Sequence, residues 1–246
     1  MEGIPRAAED ADVERQSVAP SVVRAHERGS RRGAATELAL ARFRILNRFR
    51  ILNRRRKLRW IRRALRVLEV QSVLLVGVTP TSSPWENIVE DGVAHEVRVA
   101  VASGLEAPTS GAWPHFVVCD GLALPFRSHQ FDLVLSNAVV EHVGGQPAQA
   151  QLLREHDRVG RAWIATTPNR WFPVEAHTGA FGRHWSAAWR QQRTEFTRLL
   201  SRRELRRLAP ARGIVRGAFF SPTLALIGGE GVTPLHRSGW RAPRSG

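Results

Sequence analysis

From Val73 onward the chain alternates short apolar runs with amphipathic stretches, and each run stops at a small or polar residue. Residues 73–76 read Val-Leu-Leu-Val and end at Gly77. Runs at 97–102, 116–119 and 131–136 stop before Ser103, Asp120 and Asn137, and a run at 162–166 is closed by Thr167-Pro168. Short β-branched and apolar runs bounded by turn formers are the form of strands buried on both faces. Between them, 85–94 and 146–157 carry helical spacing. Residues 201–208 open with Ser201 and, three positions on, Glu204, the pair that makes a capping box. This alternation predicts an α/β domain: a doubly wound, mostly parallel sheet with helices on both faces. Residues 214–220 and 223–227 have no helix between them, which predicts a C-terminal antiparallel hairpin and seven strands in all.

The flanks differ from this core. Residues 1–40 are polar, charged and without period, which predicts a disordered tail; 229–246 predicts a flexible one. Residues 41–69 predict a basic amphipathic helical segment ahead of the 70–228 domain. The hexapeptide Arg-Phe-Arg-Ile-Leu-Asn stands twice in tandem at 42–47 and 48–53, followed by Arg54, Arg55, Arg56, Lys57 and Arg59. Ile45, Phe49 and Leu52, then Leu58, Ile61, Leu65 and Leu68, fall near helical spacing. Two readings stay open: a helix packed on the core with a solvated Arg face, or an anchor that meets an anionic membrane surface or RNA through 42–66.

Charge bears on both. Lys and Arg number 37 against 22 Asp and Glu, a formal net charge of +15. That favours anionic partners. Lys57 is the only lysine, so Arg enrichment by base composition explains the charge equally well. Cys119 stands alone, which rules out an internal disulfide and a four-cysteine zinc site. The histidines show no ligand spacing, and no metal is expected. No apolar run approaches the ~18–20 residues needed to span a bilayer. Glu2, Glu9, Asp10 and Asp12 are unlike a secretory leader. The expectation is a cytoplasmic protein, at most peripheral to a membrane.

Open α/β sheets bind ligands beyond the carboxyl ends of their strands, at the point where strand order reverses. Gly77, Ser103, Asp120, Ser136–Asn137 and Thr166–Thr167 are those ends. Around them the segment 117–143, VVCDGLALPFRSHQFDLVLSNAVVEHV, resembles the type-11 subgroup of class I S-adenosylmethionine-dependent methyltransferases. The likeness extends to VLLVGVTP at 73–80 and TTPNRWFPVEAHT at 166–178, about two thirds of the chain. It implies a Rossmann-like domain, S-adenosylmethionine as cofactor, and methyl transfer to a small-molecule or lipid-like acceptor that the motifs do not identify.

The resemblance implies roles residue by residue. Gly77 and Thr79 would face the methionine part of the cofactor, Ser103 or Glu106 the ribose, and Asp120, Gly121 and Leu122 the adenine. Asn137 would lie between cofactor and acceptor, and His142 would be the base, with Glu175 and His177 as competitors. Leu124 and Phe126 would form an apolar wall, while Phe131 and Leu133 face the core and Asp132 anchors its strand. Aromatics in 179–198 would pack or cover the pocket. Two positions depart from the family pattern. A single glycine, Gly77, stands where a glycine-rich turn is usual, with no acidic residue before it. Ala102-Ser103-Gly104 replaces the carboxylate usual after the second strand. These departures leave a second reading: a catalytically inactive methyltransferase-like module that binds an anionic partner through its Arg-rich helix.

Overall fold

The computed structural model describes residues 20–79, 86–108, 113–175, 179, 181–189, 197–210 and 213–232. The chain divides into two units, 1–47 and 48–246. In the first, helix α1 (Pro20–Val67) begins, and Phe43 and Ile45 are exposed. Helix thus occupies 20–40, where a disordered tail was expected. The Ala, Leu, Arg and Glu residues of 34–41 are strong helix formers, and propensity there outweighs the lack of an apolar stripe. The expectations for 1–19 and 233–246 lie outside the described residues.

The second unit holds one seven-stranded sheet in the order β3-β2-β1-β4-β5-β7-β6. Its strands are β1 (Ser72–Val76), β2 (Val99–Gly104), β3 (Phe116–Val118), β4 (Phe131–Asn137), β5 (Gly160–Pro168), β6 (Ile214–Arg216) and β7 (Thr223–Gly229). The first five pair in parallel, and β7 runs antiparallel to both β5 and β6. The order reverses at β1, whose neighbours are β2 and β4, so the crevice sits above the ends of these three strands.

The burial pattern explains the two layers of helix. On one face, Leu58, Ile61, Ala64 and Leu65 of α1 join Val89 and Val93 of α2 (Ile88–Ala94) over Val73, Leu75, Leu133 and Leu135. On the other, Leu152, Leu153 and Val159 of α3 (Gln146–Val159) and Leu205 of α4 (Arg202–Leu208) cover Leu74, Val76, Val134 and Trp163. Alternate residues of β1 therefore serve opposite faces, as a buried strand requires. Of the two readings for the basic helix, packing describes 58–65: Arg55, Arg56, Arg59, Arg63 and Arg66 point to solvent while the apolar stripe is buried. A six-residue step turns a helix by about 240°, so a tandem hexapeptide cannot repeat on one face. In its second copy Phe49 stacks on Phe172 at 5.4 Å, and Leu52 is exposed.

The capping box forms as the sequence predicts, with Ser201 accepting from Glu204 N and the Glu204 carboxylate accepting from Ser201 N. Asp132 anchors the start of β4 by accepting from Gln71 N, Ser72 N and Ser72 Oγ. Burial would raise its pKa, but these bonds prevail and lower it. Phe131 and Leu133 are core residues. Strand β2 begins at Val99 rather than Val97, and β6 ends at Arg216, where a Gly217 with φ +112° turns the chain.

Candidate active site

A cleft of about 760 Å3 opens over the ends of β1, β2 and β4. It brings together every residue named from the sequence as cofactor-binding or catalytic. Gly77 and Thr79 come from the turn after β1, and Ser103 and Glu106 from the end of β2. Asp120, Gly121 and Leu122 follow β3, and Asn137 and His142 follow β4.

The turn after β1 is held tightly. Gly77 has φ +77°, and a Cβ there would lie 2.5 Å from Val139 Cγ2, so the position demands glycine. The amides of Gly77 and Val78 both donate to the Ser103 carbonyl at 2.9 Å. The Ser103 hydroxyl is buried and donates to Leu75 O at 3.3 Å, so its work is internal. Of the two ribose candidates, exposed Glu106 is the one with a side chain at the surface of the cleft.

Asp120 makes a local turn, its Oδ1 accepting from Leu122 N at 2.9 Å. Its second oxygen accepts no bond among the described residues. The loop is clamped from α3. Glu155 accepts from Leu124 N at 2.8 Å, Arg158 donates to the carbonyls of Leu124 and Phe126, and Gln151 donates to Leu122 O. The Arg158 hydrogen bonds hold the Glu155 carboxyl below its usual range against a smaller opposing effect of burial. Gly121 has a different reason from the one read in the sequence. A Cβ on it would meet Leu152 Cδ1 at 2.9 Å, so it permits close packing on α3, not close approach to a ligand. The expected apolar wall is also corrected. Leu124 is buried in the core and Phe126 packs edge-on against Phe131, so neither faces the cleft. Its apolar lining comes from Leu105, Leu122, Val139, Val143 and Leu152.

At the opposite end, side chains from two helices reach the cleft that the strand-end argument missed: Arg54 and Lys57 from α1, and Glu90 from α2. Lys57 is 6% exposed and Glu90 8% exposed. Asn137 joins them. Its Oδ1 accepts from Lys57 Nζ and from Thr166 Oγ1, and its Nδ2 donates to Glu90 Oε1 at 2.8 Å. Burial lowers the Lys57 amine to about 8, with the Glu90 charge pulling the other way. Burial likewise raises the Glu90 carboxyl, opposed by the Asn137 bond and the charges of Lys57 and Arg54. Glu90 Oε2 is buried with no hydrogen-bond partner. One signal for this end was in the sequence: Lys57, the only lysine, falls on the stripe of Ile61, Leu65 and Leu68, where an exposed base has no place.

His142 is exposed at the mouth, with Nε2 4.0 Å from Glu141 Oε1 and Nδ1 3.4 Å from Thr197 Oγ1. Of its competitors, Glu175 is buried and does not line the cleft, and His177 lies outside the described residues. In 179–198, His184 is buried and bonded to the carbonyls of Arg170 and Phe172, while Phe181 is exposed; neither lines the cleft. Phe196 lies outside the described residues. No group of metal-binding side chains occurs among the described residues, and no described helix is long and apolar enough to cross a membrane.

Strand order, crevice and site define a class I methyltransferase fold. The model of the type-11 family described as a methyltransferase domain matches residues 92–162, and that segment belongs to this family. Among solved structures, the chain is similar to the CcbJ methyltransferase of Streptomyces caelestis, with a TM-score of 0.51 and 13% identity over 72% of this chain and 89% of that one. It is also similar to an S-adenosylmethionine-dependent methyltransferase of Thermotoga maritima (TM-score 0.46, 12% identity, 73% of this chain and 91% of that one). A third is a Bacillus halodurans protein assigned as a methyltransferase (0.44, 16%, 60% of this chain), of which the chain spans 64%. No curated protein matches the chain.

Proposed function

We propose that this chain is an S-adenosylmethionine-dependent methyltransferase whose cofactor lies along the cleft and whose acceptor enters beside Asn137 and His142. The observation that carries this reading is the convergence in one cleft of residues from four separate strand ends, each named from the sequence. The cleft's size suits a cofactor of this kind, since small-molecule sites run to roughly 300–1,000 Å3. The chemistry of the donor set fits as well. Asp120 keeps one carboxylate oxygen for an exocyclic amine, and Glu106 stands near enough to the β2 end to serve a ribose hydroxyl.

Bound there, S-adenosylmethionine supplies a methyl group on a sulfonium, which moves by in-line displacement. The protein's part is alignment and desolvation, which at best contribute about 7–11 kcal/mol. Leu105, Val139 and Val143 exclude water, and the clamped loop at 120–126 fixes the adenine end. Asn137, locked by three hydrogen bonds, is a rigid wall on the acceptor side rather than a group free to shift. His142, at the solvent edge, is placed to take a proton from a hydroxyl or amine acceptor and pass it to water.

Calorimetric titration with S-adenosylmethionine, with wild type and Asp120→Ala side by side, tests this. Micromolar binding weakened about tenfold or more in the variant is expected. No heat at millimolar cofactor would leave the inactive-module reading in its place.

A further inference from the structure

One group in the cleft is left unexplained by packing. Glu90 Oε2 is buried and accepts nothing, although its partner oxygen is bonded to Asn137. A buried carboxylate oxygen without a donor carries a desolvation cost that folding alone does not repay. Arg54 lines the same end of the cleft, half-buried, and forms no hydrogen bond or ion pair with any described residue. A guanidinium is built for bidentate contact with a carboxylate. An anionic acceptor and a cationic donor set thus stand at one end of one cleft, each with unused capacity.

We infer that the end of the cleft between α1 and α2 is a subsite for an α-amino-acid zwitterion, in which Glu90 Oε2 accepts the ammonium and the Arg54 guanidinium takes the carboxylate. Lys57 does not touch this ligand. It positions Asn137, which in turn holds the Glu90 carboxyl by its other oxygen. The inference rests on the methyltransferase reading in one respect: there the zwitterion is the methionine end of the cofactor. It also accounts for the sequence around Gly77. With one glycine and no preceding acidic residue, the turn after β1 offers little to that end, and the two flanking helices supply the charges instead.

The test is calorimetric titration of the whole chain with three probes: S-adenosylhomocysteine, 5′-methylthioadenosine, which lacks the amino-acid end, and free methionine. Wild type is expected to bind S-adenosylhomocysteine roughly a hundredfold more tightly than methylthioadenosine. Glu90→Gln, which keeps an acceptor for Asn137, and separately Arg54→Gln, should each lose roughly ten- to hundredfold toward S-adenosylhomocysteine and nothing toward methylthioadenosine. Equal affinity of wild type for the two nucleosides overturns the subsite but leaves the methyltransferase reading standing. So does an equal loss on both probes in the variants. Binding of methionine with neither nucleoside keeps the subsite and assigns it to a free amino acid, removing the cofactor reading. No binding of any probe overturns both. Thermal unfolding of each variant confirms that the fold is retained.

Discussion

The two ends of the cleft are built differently. At the nucleoside end, Glu106 and Asp120 are exposed, come from loops after strands, and rest on backbone bonds clamped by Glu155 and Arg158. At the other end, Lys57, Glu90 and Asn137 form a buried chain of charged and polar groups drawn from two helices and a strand. The first end is inexpensive to fold and easily altered. The second stores a desolvation cost, because two charged groups are removed from water and linked only through an amide. Stability and binding should therefore respond oppositely to substitution at the two ends.

The largest effect belongs to Asn137→Leu. It deletes the bonds to Lys57 and Glu90 at once and leaves both buried, so unfolding by urea should show a loss of roughly 3–5 kcal/mol. A loss below ~1 kcal/mol would mean that solvent reaches the pair. Removing both charges instead, in Lys57→Met/Glu90→Leu, should leave stability unchanged or higher by about 1–4 kcal/mol while abolishing zwitterion binding. That split separates a functional pair from a structural one.

The alkaline limb sharpens the contrast. Lys57 has its folded pKa lowered to about 8, well below the ~10.4 of an unfolded lysine. Between those values the unfolded chain holds more protons, so Lys57 makes stability rise with pH across about 8 to 10.4, by up to roughly 3 kcal/mol. Cys119 acts with the opposite sign. Burial raises its pKa, so the folded state keeps a proton that the unfolded chain loses, and stability falls as pH passes the unfolded value. With no tyrosine and a single lysine, a Cys119→Ser background isolates the Lys57 contribution. Urea midpoints from pH 7.5 to 10.5 should rise in that background and stay flat once Lys57→Met is added.

Smaller still is Asp120→Ala. Losing one Asx-turn bond should cost about 1 kcal/mol or less, even as cofactor affinity drops about tenfold. A stability loss as large as that of Asn137→Leu would erase the difference between the two ends.

The sheet was legible because buried strands announce themselves as apolar runs, and their ends locate the crevice without any knowledge of contacts. Gly77, Asp120 and Asn137 were found that way. Arg54 and Glu90 were not, because nothing in a helix's own spacing says which polar residue will be turned toward a cleft assembled from distant strands. Lys57 left a trace as the one base on an apolar stripe. The packing role of Gly121 and the internal bond of Ser103 depend on how closely α3 and β1 approach, which a linear pattern does not encode. The helix over 20–40 was missed because a stripe was sought where propensity sufficed.

The central claim is that one cleft over β1, β2 and β4 holds S-adenosylmethionine. The most direct measurement is ultraviolet cross-linking with methyl-labelled S-adenosylmethionine, followed by peptide mapping. The account predicts label on peptides carrying Gly77–Val78 or Asp120–Leu122, suppressed by excess S-adenosylhomocysteine. Label confined to other segments, or label that S-adenosylhomocysteine does not suppress, would contradict it.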